Sequence, residues 1–395
     1  MLKYWLWLAT RKGLGPRGAA LAARHFMTPE AAYAADPAEY GRIEGLRTAE
    51  PLLDKDLSLP ERILRQCYEK NISILTMQDA AYPDRLRAAE DPPVVLYYKG
   101  TLPDLDGPAI AVVGTRKASV YGLTQARRLG YGLARCGCTV ISGGAKGIDT
   151  EASKGALTGG GPVVAVLGGG VDVVYPRENK YLFRDIEQNG CLISEYPPGT
   201  EPLASHFPVR NRIISGLSMG VLVAEAPEKS GALITAGRAL EQGRDVFTLP
   251  ANLGVESCTG NLKLLRDGAI PVGDAWDILQ EYEAQYPGIL SYQSSGDPAA
   301  GEVVPETPPL PEPEIKKDID KPKQKAYIDL KDRMDTMSRD EQVLVGLLQD
   351  GPLHIDVITE RAQLAAGRAL ASLTLLEVKG IVRRPSARMY ELAEK

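Results

Sequence analysis

Histidine is scarce in this chain, with three residues in 395; phenylalanine stops at four and cysteine at five. Each shortage excludes something. His25, His206 and His354 lie far apart, and there is no H-E-x-x-H, so neither a zinc site nor a Ser-His-Asp arrangement is written locally. The cysteines (Cys67, Cys136, Cys138, Cys191 and Cys258) are odd in number and lack metal-ligand spacing, which reads as buried reduced thiols in a cytoplasmic protein. No apolar run approaches the roughly 20 residues of a membrane span. Tyr4-Trp-Leu-Trp-Leu-Ala9 is too short for a signal sequence and runs at once into Arg11 and Lys12. The phosphate-cradling pattern G-x-x-x-x-G-K-[ST] does not occur, which argues against an ATP-driven motor. A basic excess is missing too: 46 Lys and Arg face 51 Asp and Glu, a formal charge of −5. Any polyanion partner therefore needs a local positive patch.

What the chain does have is glycine at the ends of β-branched runs. Ile110-Ala-Val-Val-Gly114-Thr-Arg116 precedes a helical pattern to about residue 135. Thr139-Val-Ile-Ser-Gly143-Gly144-Ala-Lys146-Gly147-Ile-Asp149 repeats the arrangement. Each half reads as strand, loop and helix, which places both loops at the carboxyl edge of one parallel sheet. Without a Cβ, glycine lets backbone N–H groups close around an oxyanion, and the following helix adds its positive end. Arg116 and Lys146 supply full charges, so the pair of loops is a candidate phosphate site.

Around these loops the β-then-α alternation persists. Strands are expected at 110–114, 139–142, 163–168, 191–195, 220–226 and 245–250, with an entry strand in Asp91-Pro92-Pro93-Val-Val-Leu-Tyr-Tyr98. Val/Ile/Leu runs between amphipathic helices specify an α/β, extended Rossmann-like doubly wound sheet over residues 81–285. Residues 1–80 alternate short helical patterns with Gly/Pro breaks. Gly13-Leu-Gly15-Pro16-Arg17-Gly18 fits both a helix-hairpin-helix turn that meets a phosphate and plain helix packing, the commoner use. Residues 286–330 are Pro-rich and read as a flexible linker. Residues 331–395 carry three helical patterns and a hairpin, the order of a winged helix. Ser338-Arg-Asp-Glu341 has capping-box spacing, and Val343, Leu344, Leu347 and Leu348 are expected on one helix face.

Further loops continue along the same edge: Gly168-Gly-Gly170-Val-Asp172, Tyr175-Pro176-Arg177-Glu-Asn179-Lys180, Phe207-Pro-Val-Arg210-Asn211-Arg212, and Ser230-Gly231 ahead of Thr235. Arg116, Lys146, Arg177, Lys180, Arg210 and Arg212 are thus six cations expected on one rim, a positive groove on an acidic protein. Phe207, in a loop beside Arg210, suits either a base-stacking platform or a plug of the core. Asn211 suits either a phosphate contact or loop geometry. Asp149, Asp172, Glu195 and Glu225 sit at strand ends or helix starts, where capping and loop bracing explain them better than catalysis. Glu225 also stands where a dinucleotide ribose would be read, but Gly143-Gly144-x-x-Gly147 lacks the full G-x-G-x-x-G spacing.

Seven motifs occur in order: Gly114-Thr-Arg116, Ser142-Gly-Gly-Ala-Lys-Gly-Ile-Asp149, Tyr175-Pro176, Ser194-Glu195, Phe207-Pro-x-Arg-Asn-Arg-Ile-Ile214, Ser230-Gly-x-Leu-Ile-Thr235 and Gly243-Arg-Asp-Val-Phe247. Together they resemble the DNA-processing protein A (DprA/Smf) family over roughly residues 80–285. The flanks fit its layout of an N-terminal SAM-like helical domain and a C-terminal winged helix. The resemblance implies a non-enzymatic protein, without cofactor or metal, that binds and protects incoming single-stranded DNA in natural transformation and loads the RecA recombinase. A single-strand-binding protein is a further candidate partner. Candidate DNA contacts are Gly114, Arg116, Gly143, Gly144, Lys146, Gly147, Arg177, Asn179, Lys180, Phe207, Arg210, Asn211, Arg212, Ser230 and Gly231. Homodimerisation is expected through Leu262, Leu265 and Ile270. Two positions depart from the family pattern: Ser153 stands where His is frequent, and Ala251 follows Pro250 where Gly is usual. The related lysine-decarboxylase-like (LOG) group, nucleotide-cleaving enzymes or small-nucleotide sensors, is the competing assignment, but its P-G-G-x-G-T signature is absent.

Overall fold

A computed structural model describes residues 1–292 and 338–392, leaving out 363, 365, 380, 387 and 388, together with the side chains of 350, 356, 360, 366, 367, 371, 378 and 384–386. Most of the expected linker therefore lies outside the described residues. The chain divides into two compact units, residues 1–307 and 308–395.

In the first unit, helices α1 (Leu2–Ala9), α2 (Gly15–Phe26), α3 (Pro29–Ala34), α4 (Pro37–Tyr40) and α5 (Ser58–Glu69) come first. Trp5, Leu6, Trp7 and Leu8 of the apolar amino end are all buried, so the segment is core rather than a targeting signal. The Gly13–Gly18 turn also serves packing: a Cβ on Gly18 would come within 3.0 Å of Leu14 and 3.3 Å of Leu46.

There follow β1 (Ser73–Thr76), α6 (Asp84–Arg87), β2 (Val95–Gly100), β3 (Ala109–Val113), α7 (Val120–Arg135), β4 (Thr139–Ser142), α8 (Ile148–Thr158), β5 (Val163–Val166), α9 (Lys180–Gln188) and β6 (Gly190–Ser194). The unit closes with α10 (His206–Gly216), β7 (Gly220–Val223), α11 (Gly231–Glu241), β8 (Asp245–Thr248), α12 (Thr259–Arg266), β9 (Ile270–Pro271) and α13 (Trp276–Leu279). The nine strands form one sheet in the order β1-β2-β6-β5-β4-β3-β7-β8-β9. All pairs from β6 to β9 are parallel; β1 and β2 are antiparallel additions at one edge. Every residue of β3, β4, β5, β6 and β7 is buried, as strands covered on both faces require.

β1 begins the sheet inside the segment read as helical, so the sheet domain starts earlier than residue 81. At the other end the chain stays packed beyond 285: Leu290 is buried and the Tyr286 hydroxyl donates to Asp106 O. All five cysteines are buried free thiols, and no described helix is long and apolar enough to cross a membrane.

From β3 the chain winds outward through β4, β5 and β6, then returns to lay β7, β8 and β9 on the other side of β3. The strand order therefore reverses between β3 and β7, registered Val113 against Val223. In open parallel sheets the crevice above the carboxyl ends at this point is where ligands bind.

The second unit, by itself, holds α14 (Arg339–Leu347), β10 (Leu353–His354), α15 (Ile355–Ala362), α16 (Ala366–Val378), β11 (Val382–Ser386) and β12 (Met389–Leu392), with its sheet ordered β10-β12-β11. The Ser338/Glu341 capping box forms as the spacing requires. The buried face of α14 differs from the expected one: Leu344, Val345 and Leu348 enter the core with Ile358, Leu373, Leu376 and Tyr390, while Val343 is exposed.

Candidate nucleic-acid interface

Above the β3/β7 reversal lies a cavity of about 760 Å³, lined by the Gly114–Lys117 loop, Ala145, Asp149, Phe207, Arg210, Asn211 and the Pro227–Ala232 turn. Its walls are loops that other side chains hold in place. At Gly147 the backbone is left-handed (φ +78°), and a Cβ would meet Thr115 O at 2.5 Å, so the β3 and β4 loops approach closely only because this residue is glycine. Asp149, in the first turn of α8, accepts from the N–H groups of Gly143 at 3.1 Å and Ala145 at 3.3 Å. Asn179 donates to Gly144 O at 3.0 Å and to Thr150 Oγ1 at 2.8 Å, fastening the same loop from the other side. Across the switch point, buried Glu225 accepts from Ser119 N and, at 2.7 Å, from Ser119 Oγ, which fixes the start of α7.

The six expected rim cations separate into two kinds. Arg116, Lys146, Arg177 and Lys180 are exposed. Arg177 and Lys180 have no ion-pair partner among the described residues, whereas Lys146 bonds Glu178 Oε1 at 2.5 Å. Arg210 and Arg212 are not on the rim at all, with 4% and 3% of their surface exposed. Phe207 to Arg212 form the start of α10 rather than a loop, and residues two apart on a helix point roughly 200° from each other. Arg210 accordingly turns inward, donating through Nη1 to Gly143 O at 2.8 Å and to Val166 O, so that it staples the ends of β4 and β5. Arg212 turns the other way and forms a bidentate pair with Glu195 at 2.6 and 2.7 Å. Asn211 donates to Gly231 O at 3.2 Å and thereby ties α10 to the start of α11, the geometric role rather than a free donor.

Burial pushes the Asp149 carboxyl up to about 6, against the opposing charge of Arg210 and the two backbone N–H bonds. Burial likewise brings Arg210 down to about 10, with Asp149 resisting. Both stay charged at neutral pH. With its carboxylate taken up by the glycine loop, Asp149 is a brace, and Ser153 donates within the same helix to Asp149 O at 2.8 Å.

Phe207 sits at the cavity mouth, half-buried, with the Arg116 guanidinium 5.1 Å from its ring centroid and that of Arg210 at 5.6 Å. Tyr175, itself exposed, lies 5.8 Å from the same ring. The surface thus alternates cations with aromatic faces: Arg116, Phe207, Tyr175, then Arg177 and Lys180. Ser230 caps α11, its Oγ accepting from Ala232 N, and Gly231 stands exposed beside it. Lys117 and Lys229 also line the cavity and were not singled out from the sequence. The signal was available: Lys117 follows Arg116, and Lys229 precedes the Ser230 cap. His206 is engaged elsewhere, stacked on Tyr196 at 4.1 Å, and no cluster of metal-binding side chains occurs among the described residues. Leu262 and Leu265 on α12 and Ile270 on the edge strand β9 are half-exposed, away from the cavity lining.

Comparison with known proteins places this geometry. Residues 73–283 match the family model of DNA recombination-mediator protein A, and residues 329–386 match that of the DprA winged helix domain. Protein Smf of Synechocystis sp. is 34% identical over 411 residues, covering 98% of each chain. DNA processing protein DprA of Streptococcus pneumoniae is 42% identical over 241 residues, 61% of this chain and 85% of its own. The crystal structure of the latter protein superposes with a TM-score of 0.64, at 34% identity, covering 74% of this chain and 99% of the other.

Proposed function

The chain belongs to the DprA/Smf family of DNA-processing proteins, and on that premise we propose that it binds single-stranded DNA along the groove above the β3/β7 reversal. The observation that carries this reading is the run of exposed cations interleaved with aromatic faces from Arg116 over Phe207 and Tyr175 to Lys180, on a chain of net charge −5. Cations meet phosphates, and ring faces stack on any base, so the surface suits an unpaired strand of arbitrary sequence. A rigid duplex keeps its bases stacked inside and cannot use Phe207 in this way. The glycine loops at Gly143–Gly147 and the capped start of α11 at Ser230-Gly231 add backbone N–H donors to the same groove.

The protein's role in this reading is to hold and protect incoming strands in the cytoplasm during natural transformation and to pass them to the RecA recombinase. A homodimer formed through Leu262, Leu265 and Ile270 would set two grooves in one particle. Fluorescence anisotropy of a labelled oligo-dT, competed in turn by unlabelled oligo-dT, duplex and dTMP, tests the reading. It requires that oligo-dT compete best. Preferential competition by dTMP would instead favour a small-nucleotide site of the LOG kind.

A further inference from the structure

A second cavity, of about 720 Å³, opens at the opposite, amino edge of the sheet, between the N-terminal helices and the end of α11. Arg17 and Arg47 contribute from the helical segment, Glu90 and Asp91 from the connection to β2, and Arg238, Glu241, Gln242 and Arg244 from the α11/β8 junction. Nothing in the groove described above uses these residues.

The charges here do not cancel. Glu90 pairs with Arg17 at 2.8 Å, Glu241 with Arg238 at 2.7 Å, and Asp91 with the buried Arg212 at 3.4 Å. Each lining carboxylate is thereby occupied. Arg47 and Arg244 are left without an acidic partner among the described residues. Hydrogen bonding leaves a second imbalance at the same spot. Arg244 spends Nη2 on Arg85 O at 2.9 Å, but its Nε is buried with no acceptor. Gln242 donates through Nε2 to Arg212 O at 3.0 Å, and its Oε1 is buried with no donor. Burial, and next the nearby Arg85 charge, lowers the Arg244 pKa, so its guanidinium is held without the anion that would normally accompany it. Buried polar groups are nearly always satisfied, and an unpaired donor beside an unpaired acceptor is where a missing polar partner belongs.

We propose that this cavity is a nucleotide-phosphate site, in which Arg47 and Arg244 clamp a phosphate and Gln242 Oε1 accepts from a hydroxyl or amino group of the same ligand. A guanidinium pair matches the planar, multi-acceptor geometry of phosphate. The phosphate comes either from a free nucleotide or from a DNA strand continuing round the molecule. This site stands apart from the groove and does not depend on it.

The test uses the full chain labelled with 15N-arginine, following the Nε–H resonances of Arg47 and Arg244, assigned with Arg47→Lys and Arg244→Lys. Titrants are dTMP, inorganic phosphate and oligo-dT, each against sodium chloride at matched ionic strength. The expected result is a saturable shift of both resonances with dTMP, abolished by Arg47→Ala and retained in Arg116→Ala. Arg47 is exposed, so its replacement does not threaten the fold. A response to oligo-dT but not to dTMP supports the same clamp with the strand as the phosphate source. Inorganic phosphate matching dTMP keeps the clamp and removes the Gln242 contact. No shift with any titrant, an equal shift with chloride, or loss of the shift in Arg116→Ala overturns the proposal.

Discussion

The guanidinium of Arg116 lies 5.1 Å from the centroid of Phe207, joining the β3 loop to the first turn of α10 across the mouth of the groove. The pair is poised to take a nucleotide from both sides, phosphate on the cation and base on the ring face. Arg116→Ala is expected to weaken oligo-dT binding by about 1–3 kcal/mol, the range for removing one charge-assisted hydrogen bond from a protein that stays folded. The melting temperature should stay unchanged because Arg116 braces nothing. Anisotropy and a thermal scan on the same sample check both halves.

Lys146 behaves differently because Glu178 already holds it. Its contribution to DNA binding is therefore offset by breaking that pair, and Lys146→Ala should cost less than Arg116→Ala. Glu178→Gln should tighten binding severalfold by releasing the amine and removing a negative charge from the rim. An affinity that falls in Glu178→Gln would place the strand elsewhere.

Arg212→Met is expected to act on stability. It leaves Glu195 and Asp91 without their cation, and breaking such a buried pair costs about 3–5 kcal/mol. Chemical denaturation should show that loss, while oligo-dT affinity of the folded protein, measured at 25 °C, stays near wild type. A variant of wild-type stability that binds weakly would put Arg212 back on the rim.

Asp149 makes the stability pH-dependent in an unusual direction. Its folded pKa, about 6, lies above the ordinary 3.8, so the folded state binds the proton more tightly. Its contribution is fully present below about pH 4 and is lost as pH rises through about 6, amounting to roughly 3 kcal/mol at most. Asp149→Asn removes this titration, so the difference in unfolding free energy between the two proteins should change across pH 4 to 6 and be flat above 7. Parallel curves for both proteins over the whole range would show that Asp149 titrates normally.

The winged helix is expected to contribute little to single-strand affinity. Its cations are spoken for: Arg368 pairs with Asp340 at 2.5 Å, Lys379 with Glu341 at 2.5 Å, and Arg383 with Glu391 at 2.7 Å. Arg388, at the expected tip of the wing, lies outside the described residues. Deleting residues 330–395 should leave oligo-dT affinity within tenfold of the full chain, about 1.4 kcal/mol, while changing assembly or partner contacts.

How much of this could be read in advance depends on which property each residue needed. The parallel strands were legible because β-branched runs buried on both faces leave an unmistakable pattern, and Gly147 was legible because a close loop crossing needs glycine. β9 was not, since two residues ending in Pro271 carry no periodicity and survive only as an edge. Arg210 and Arg212 show the deeper limit. In sequence they resemble Arg116, each beside a glycine-rich or proline-flanked segment. Only the helical start of α10, with Pro208 tolerated in its first turn, sends one to the glycine loop and the other to Glu195. The bracing roles of Asp149 and Glu225 followed from their positions at helix starts, whereas Lys117 and Lys229 became visible only when the loops were brought round one cavity.

The most direct test of the groove is the salt dependence of oligo-dT affinity in wild type and in the combined variant Arg116→Ala/Arg177→Ala/Lys180→Ala. Single-strand binding loses roughly 0.7 in logarithmic slope for each phosphate neutralised. The exposed cations Arg116, Lys146, Arg177 and Lys180 therefore predict a slope of about −2 to −3 for wild type. The slope should fall to about −1 in the variant, with duplex binding weaker than single-strand binding throughout. A slope unchanged by the three substitutions, or equal affinity for duplex, would contradict the account.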